Sequence, residues 1–130
     1  MKSVVICGSS RFAKEALAFG KKLEKAGLVV YNPYFYRANG GDWTKISDFD
    51  KKFVAMGLTL EHFRKIELAD VVFVFNKGGY SGPSTTLEMG YATALAKPIY
   101  VLSDKDPEIC RSILFNGVVK TPEELIKKLK

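Results

Sequence analysis

The chain has 130 residues and a mass of 14.5 kDa, enough for one compact domain with a real core and too little for two. Its 47% apolar and 26% charged residues exclude disorder, and no apolar run approaches the ~18 residues of a membrane span. The formal net charge of +6 favours an anionic partner, but the basic residues are spread out, at Lys21, Lys22 and Lys25 and at Lys127, Lys128 and Lys130. That spread is the pattern of a solvated face, not of a nucleic-acid or membrane surface.

The first segment, Ser3-Val4-Val5-Ile6-Cys7, is a β-branched run ending at Gly8, the mark of a buried parallel strand. It lacks the long apolar stretch and cleavage site of a signal peptide, so a cytoplasmic location is expected. Phe12, Ala16, Phe19, Leu23 and Ala26 then step along one helical face, with Gly27 placed to end the helix. Leu28 to Tyr31 is a second strand, closed by Asn32-Pro33. Residues 34–47 have no period and read as a long loop. A second helix is expected over Asp48 to Leu68, its apolar positions Phe49, Phe53, Met56, Leu60 and Phe63 at helical spacing and Gly57 a possible kink. Val71 to Phe75 is a central strand, followed by a glycine-rich turn to Pro83. Ser84 then caps a third helix reaching Ala96, and Pro98 to Leu102 is a fourth strand. A short helix near 107–112, a fifth strand near 115–119 and a last helix opened by the capping box Thr121-Pro122-Glu123-Glu124 complete the chain.

Strands alternating with helices imply right-handed crossovers and a five-stranded parallel sheet covered on both faces, a flavodoxin-like or Rossmann-like α/β domain over residues 1–130. Ligands of such folds sit beyond the carboxyl ends of the strands, which directs attention to three loops. In the first, Gly8, Ser9, Ser10 and Arg11 lead into a helix, where backbone N–H groups, hydroxyls and a guanidinium suit a phosphate; the alternative is a tight turn with an exposed Arg. In the second, Phe35, Tyr36 and Trp43 offer rings to stack on a base, or to pack over the sheet edge. In the third, Asn76 to Thr86, glycines including Gly79 and Gly82 let backbone approach a ligand, beside Tyr80, Ser81 and Ser84. Glu88 follows at the helix start, either as a carboxylate nucleophile or as an ordinary helix-start acid. Cys7 and Cys110 are too few for a disulfide scaffold. With no CxxC pair or His-rich tract they read as small core residues in a reducing compartment. The absence of Gln beside plentiful Lys and Glu fits a heat-adapted source.

Ala69-Asp70-Val71-Val72-Phe73-Val74-Phe75, the glycine-rich turn, Glu88-Met89-Gly90-Tyr91-Ala92 and Ala96-Lys97-Pro98-Ile99 together resemble the nucleoside 2-deoxyribosyltransferase family. Cys7-Gly8-Ser9-Ser10-Arg11 resembles that family's branch of 2'-deoxynucleoside 5'-monophosphate N-glycosidases. The resemblance implies that Glu88 is the nucleophile that attacks C1' and expels the base. It further implies that Ser9 and Arg11 hold the 5'-phosphate, and that Ser112 reaches the phosphate of a partner subunit. A homodimer or larger homo-oligomer, and no metal or organic cofactor, follow from the same resemblance. The sequence departs from the family pattern at three supporting positions. Val5 stands where a Tyr is usual, His62 where an Asp contacts the sugar, and Gly82 where an Asp or Ser is found.

His62 reads either as a structural histidine or as an active-site group. In the second case an imidazole titrating near its reference value of about 6.5 protonates the departing base, and activity falls as pH rises through that value. The expected activity is cleavage of the N-glycosidic bond of a nucleotide or nucleoside, by hydrolysis or transfer, through a glycosyl-Glu88 intermediate. Two rivals stand beside it. One is a lysine-decarboxylase-like phosphoribohydrolase, whose Pro-Gly-Gly-x-Gly-Thr-x-x-Glu motif is echoed by residues 78–84. The other is a catalytically silent nucleotide-binding module.

Overall fold

The computed structural model describes residues 2–129. Five strands, β1 (Ser3–Cys7), β2 (Val29–Tyr31), β3 (Val71–Val74), β4 (Ile99–Val101) and β5 (Gly117–Val118), form one sheet in the order β2-β1-β3-β4-β5. Every pairing is parallel. This is the doubly wound flavodoxin-like order, with its switch point between β1 and β3. Helices α1 (Ala13–Lys25) and α5 (Pro122–Leu129) accompany one apolar cluster, and α2 (Asp48–Leu68) and α3 (Pro83–Ala94) the other. A one-turn helix, α4 (Ile109–Ser112), precedes β5.

The alternation of side chains along a strand divides the core. Val4 and Ile6 of β1 join Phe73 of β3, Phe19 and Leu23 of α1 and Leu125 of α5 on one side, where Phe19 stacks on Phe73 at 4.4 Å between ring centroids. Val5 and Cys7 face the other side with Val72, Val74, Ile66 and Met89. β3 and, after Ser3, β1 are apolar throughout because both of their faces are covered. Among the described residues, no helix is long and apolar enough to cross a membrane.

Most expected ends agree with the structure to within a residue or two. Gly27 takes φ +92 just beyond the end of α1. At the last helix, Thr121 Oγ1 accepts from the Glu124 N–H at 3.2 Å, and Glu124 Oε2 accepts from the Lys120 N–H at 3.0 Å. The capping box therefore closes one residue earlier than the standard pattern.

Four expectations are corrected. Helix α3 is capped by Gly82, with Pro83 at its first position and Ser84 inside it; Pro loses nothing there because its missing N–H has no helical partner. The helix ends at Ala94, before Ala96 at φ +58. Gly8–Arg11 does not run straight into an α-helix. A 3-10 turn over Ser10–Phe12 intervenes, its N–H at Arg11 bonded to Ser9 Oγ at 3.3 Å. The loop over 34–47 contains a further 3-10 turn, Trp43–Lys45, capped by Asp42.

The largest correction concerns α2, which runs unbroken through Gly57. Phe49, Phe53, Met56 and Leu60 are 76%, 63%, 53% and 57% exposed. The helix instead turns His62 and Ile66 inward, with Val54 and Leu58 half-buried on the same side. The periodicity identified the helix correctly, but of its apolar positions only Phe63, half-buried and stacked on Tyr91 at 4.6 Å between centroids, is covered by the rest of the chain.

Candidate functional site

A cleft of about 340 Å³ opens beyond the carboxyl ends of β1, β2 and β3, within the size range of small-molecule sites. Gly8, Ser9 and Ser10 follow β1, Tyr36 and Arg37 follow β2, and Tyr80, Gly82 and Ser84 follow β3; all of them line it, together with Trp43 and His62. A second recess of about 450 Å³, lined by Ser9, Ser10, Arg11, Arg37 and Tyr80, shares four of these residues with the cleft. The Arg11 guanidinium lies 3.5 Å from the centre of the Tyr80 ring, a cation–π contact that fixes it at the mouth of the recess. Two arginines and two serines thus line the recess, with no carboxylate among them, while Glu61 and Lys65 lie on the wall of the cleft itself. Tyr36 and Trp43 meet at 4.6 Å between centroids on the cleft wall, and Phe35 lines the same cleft while packing against the core.

Behind the wall lies a compact polar group. Because the face of β1 that carries Val5 also carries Cys7, the Cys7 thiol points toward α2 and α3, where it meets His62 and Glu88. Cys7 Sγ is 3.3 Å from His62 Nε2, and His62 Nε2 is 3.8 Å from Glu88 Oε1. Cys7 is fully buried, the His62 side chain is 7% exposed and that of Glu88 14%. Glu88, in the second turn of α3, is not itself among the cleft-lining residues. His62, 3.8 Å from it, is the cleft-lining residue that it contacts.

Burial sets the protonation of this group. Desolvation pushes the Glu88 carboxyl up to about 7, against a smaller opposing effect of the hydrogen bond from the Cys7 thiol. Desolvation, and then the Lys65 charge, lower His62 to about 4, only partly offset by Glu61 and the Ile6 carbonyl. Burial and then the neighbouring Glu88 hold the Cys7 thiol well above its ordinary range. At neutral pH the imidazole is therefore uncharged, and its contact with Glu88 is not an ion pair. The expectation that His62 titrates near 6.5 is corrected: its ring is stripped of water and titrates at about 4. The group that titrates near neutrality is Glu88.

Three other expected site residues stand apart from the cleft. Asn76 is buried, its amide donating to the Ser103 carbonyl and accepting from the Ser103 N–H, each at 2.9 Å; it ties the end of β3 to the end of β4. Gly79, at φ +88, packs against the Lys105–Asp106 backbone, which a Cβ would strike. Ser112 lies on α4, its hydroxyl 3.3 Å from the Ile109 carbonyl. Val5 is fully buried in the core and offers no polar atom to the site. Two residues of the site carry little local signal. Cys7 reads from the sequence as a small core residue, and only strand alternation puts it on the face shared by α2 and α3. Arg37 lies in an aperiodic loop, and the signal that points to it is that this loop leaves the carboxyl end of a strand.

A parallel sheet in this order, with helices on both faces and a polar cleft over its switch point, defines a flavodoxin-like α/β protein. Solved structures of the same fold include the CMP N-glycosidase BcmB of Clostridium botulinum, with a TM-score of 0.55 and 18% identity over 98% of this chain and 97% of that one. A conserved protein of Enterococcus faecalis is similar at a TM-score of 0.58 and 16% identity, over 99% and 98% of the two chains. No family model matches the chain, and no curated protein matches its sequence.

Proposed function

We propose that the chain cleaves the N-glycosidic bond of a nucleoside 5'-monophosphate, with Glu88 as the nucleophile. The observation that carries this reading is the juxtaposition of a buried carboxylate, behind the His62 wall of the cleft, with a two-arginine, two-serine recess at the cleft's other end. In the first step a Glu88 oxygen bonds to C1' as the C1'–N bond breaks, and the electron pair leaves with the base, which takes its proton from solvent. Water, or a second base, then attacks C1' and releases the carboxylate. His62, neutral throughout the working range, bonds and orients its neighbours without serving as the acid. Arg11, Arg37, Ser9 and Ser10 receive the phosphate, and Tyr36 and Trp43 offer surfaces to the base. The fold shared with a CMP N-glycosidase places CMP among the first substrates to try.

The test is incubation with a panel of ribo- and deoxyribonucleoside 5'-monophosphates, with chromatographic detection of free base and Glu88→Ala as the control. Base release that depends on Glu88 is expected. Tight calorimetric binding of a monophosphate with no base released from any member of the panel would instead assign the cleft to a silent binding module.

The exposed α2 stripe supports a homodimer. Phe49, Phe53, Met56 and Leu60 follow the 4-3-4 spacing of a helix-pairing seam, and such a seam is self-complementary when two copies meet across a twofold axis. Four large apolar side chains, each more than half exposed along one stripe, make a contiguous apolar patch of the kind that marks an interaction surface. Sedimentation at micromolar concentration is expected to give a dimer, and Phe53→Glu a monomer; a wild-type monomer at high concentration rejects the pairing.

A further inference from the structure

We infer that Cys7, His62 and Glu88 form a binding site for a thiophilic divalent cation, zinc above all, that competes with the site's use in catalysis. One ligand atom from each residue lies within 4.8 Å of the other two, and among the described residues no other three His, Cys, Asp or Glu converge in this way. Thiolate, imidazole and carboxylate are the donors zinc takes, three from the protein and a fourth position open to water. Tetrahedral zinc bonds of ~2.0–2.3 Å require sulfur and nitrogen donors ~3.6 Å apart, and nitrogen and oxygen donors ~3.4 Å apart. The observed sulfur–nitrogen and nitrogen–oxygen separations of 3.3 Å and 3.8 Å lie to either side of these values; the sulfur and carboxylate oxygen, within 4.8 Å of one another, must come to ~3.6 Å, so a shift of the Glu88 carboxylate by up to about 1 Å closes the site.

The surroundings favour an ion. Cys7 is buried and Glu88 largely so, with no cationic side chain hydrogen-bonded to either, and a dication compensates the cost of holding both as anions. His62 lines the cleft, which gives the ion an entrance and leaves the fourth position facing the solvent side. On binding, the zinc–sulfur bond replaces the sulfur–hydrogen bond of Cys7, and the proton passes to solvent. Nothing is oxidised or reduced. The ligands come from β1, α2 and α3, so no local spacing motif announces them.

The experiment uses the full chain carrying Cys110→Ser, which removes the exposed thiol on α4. Titration of zinc against a chromogenic chelator is expected to show one equivalent bound per chain. Cys7→Ala and Glu88→Gln should each weaken binding by at least about a hundredfold, since loss of even an outer-shell partner costs ten- to a hundredfold. Cobalt(II) in place of zinc should give a thiolate-to-metal charge-transfer band and the intense d–d bands of a four-coordinate ion, both lost with Cys7→Ala. His62→Asn, altered at the cleft wall, supplies the same comparison should the Cys7 variant fail to fold. Absence of a stoichiometric zinc site, affinity indifferent to these substitutions, or a cobalt spectrum without the thiolate band overturns the inference. The inhibitory consequence rests on Glu88 as nucleophile: zinc should suppress base release and a chelator restore it. A zinc-loaded chain that still releases base keeps the metal site and counts against Glu88 as the nucleophile, so the two failures are distinct.

Discussion

Glu88 is held near 7 by desolvation, and a carboxylate attacks only when ionised. With a chelator present, kcat/KM for base release should therefore climb about tenfold per pH unit below 7 and level off above it. This is opposite in sign to the profile expected of a histidine acid. Glu88→Gln should lower the rate by about a thousandfold or more on the plateau above pH 7 and remove the rise with pH, so that the two rates converge as pH falls. A profile that falls through this range, or is flat, would remove Glu88 from the role. At the other end of the cleft, Arg11 and Arg37 should each account for roughly ten- to a hundredfold of the preference for a 5'-monophosphate over its nucleoside, the strength of a charge-assisted hydrogen bond. Calorimetry on Arg11→Ala and Arg37→Ala measures both; equal affinity for nucleotide and nucleoside in the wild type would make the recess a mere turn. The sequence made Glu88 and Arg11 visible because each sits beside a glycine-rich or serine-rich strand end. Cys7 and Arg37 stayed hidden because their partners come from elements far away in the chain.

At the level of elements, the strands, helices and their order were legible because apolar period and punctuating glycine and proline residues agree over most of the chain. What was not legible is which helix face the body of the protein covers. On α2 the stripe through Phe49 and Phe53 is the more apolar, yet the sheet meets the face of His62 and Ile66. The polar atoms of that face belong to the site. The turn after β3 shows the same division between form and use. Its glycines suggested room for a ligand, whereas Gly79 serves the packing of one loop on another, at φ +88 against the Lys105 carbonyl. Gly79→Ala should therefore cost about 2 kcal/mol or more in stability, from the left-handed backbone and the collision together, with ligand affinity unchanged once the variant is folded. A thermal melt coincident with the wild type would show that the turn yields freely.

For the whole molecule, the paired perturbations at the site predict a cancellation. Glu88 titrates at about 7 in the folded chain against an ordinary 4.5, so its contribution is fully present below pH 4.5 and is lost as pH rises toward 7. His62 titrates at about 4 against an ordinary 6.5, so the unfolded chain takes up a proton that the folded chain refuses. Its contribution therefore rises with pH between 4 and 6.5. Across the shared window from 4.5 to 6.5, the folded chain keeps one proton on Glu88 and the unfolded chain keeps one on His62. The two slopes, each about 1.4 kcal/mol per pH unit, oppose one another. Glu88→Gln deletes the falling term, so its stability relative to the wild type should climb with pH by roughly 2–3 kcal/mol across that window. His62→Asn deletes the rising term, and its stability relative to the wild type should fall by a similar amount. The difference from wild type cancels the lowered carboxylates Asp42, Glu67, Asp70 and Asp106, which are common to all three chains. Denaturant melts at half-unit intervals of pH give the curves directly. Parallel curves for wild type and Glu88→Gln would mean that this carboxyl is not desolvated in the folded chain, and the pH dependence expected of the reaction would fail with it.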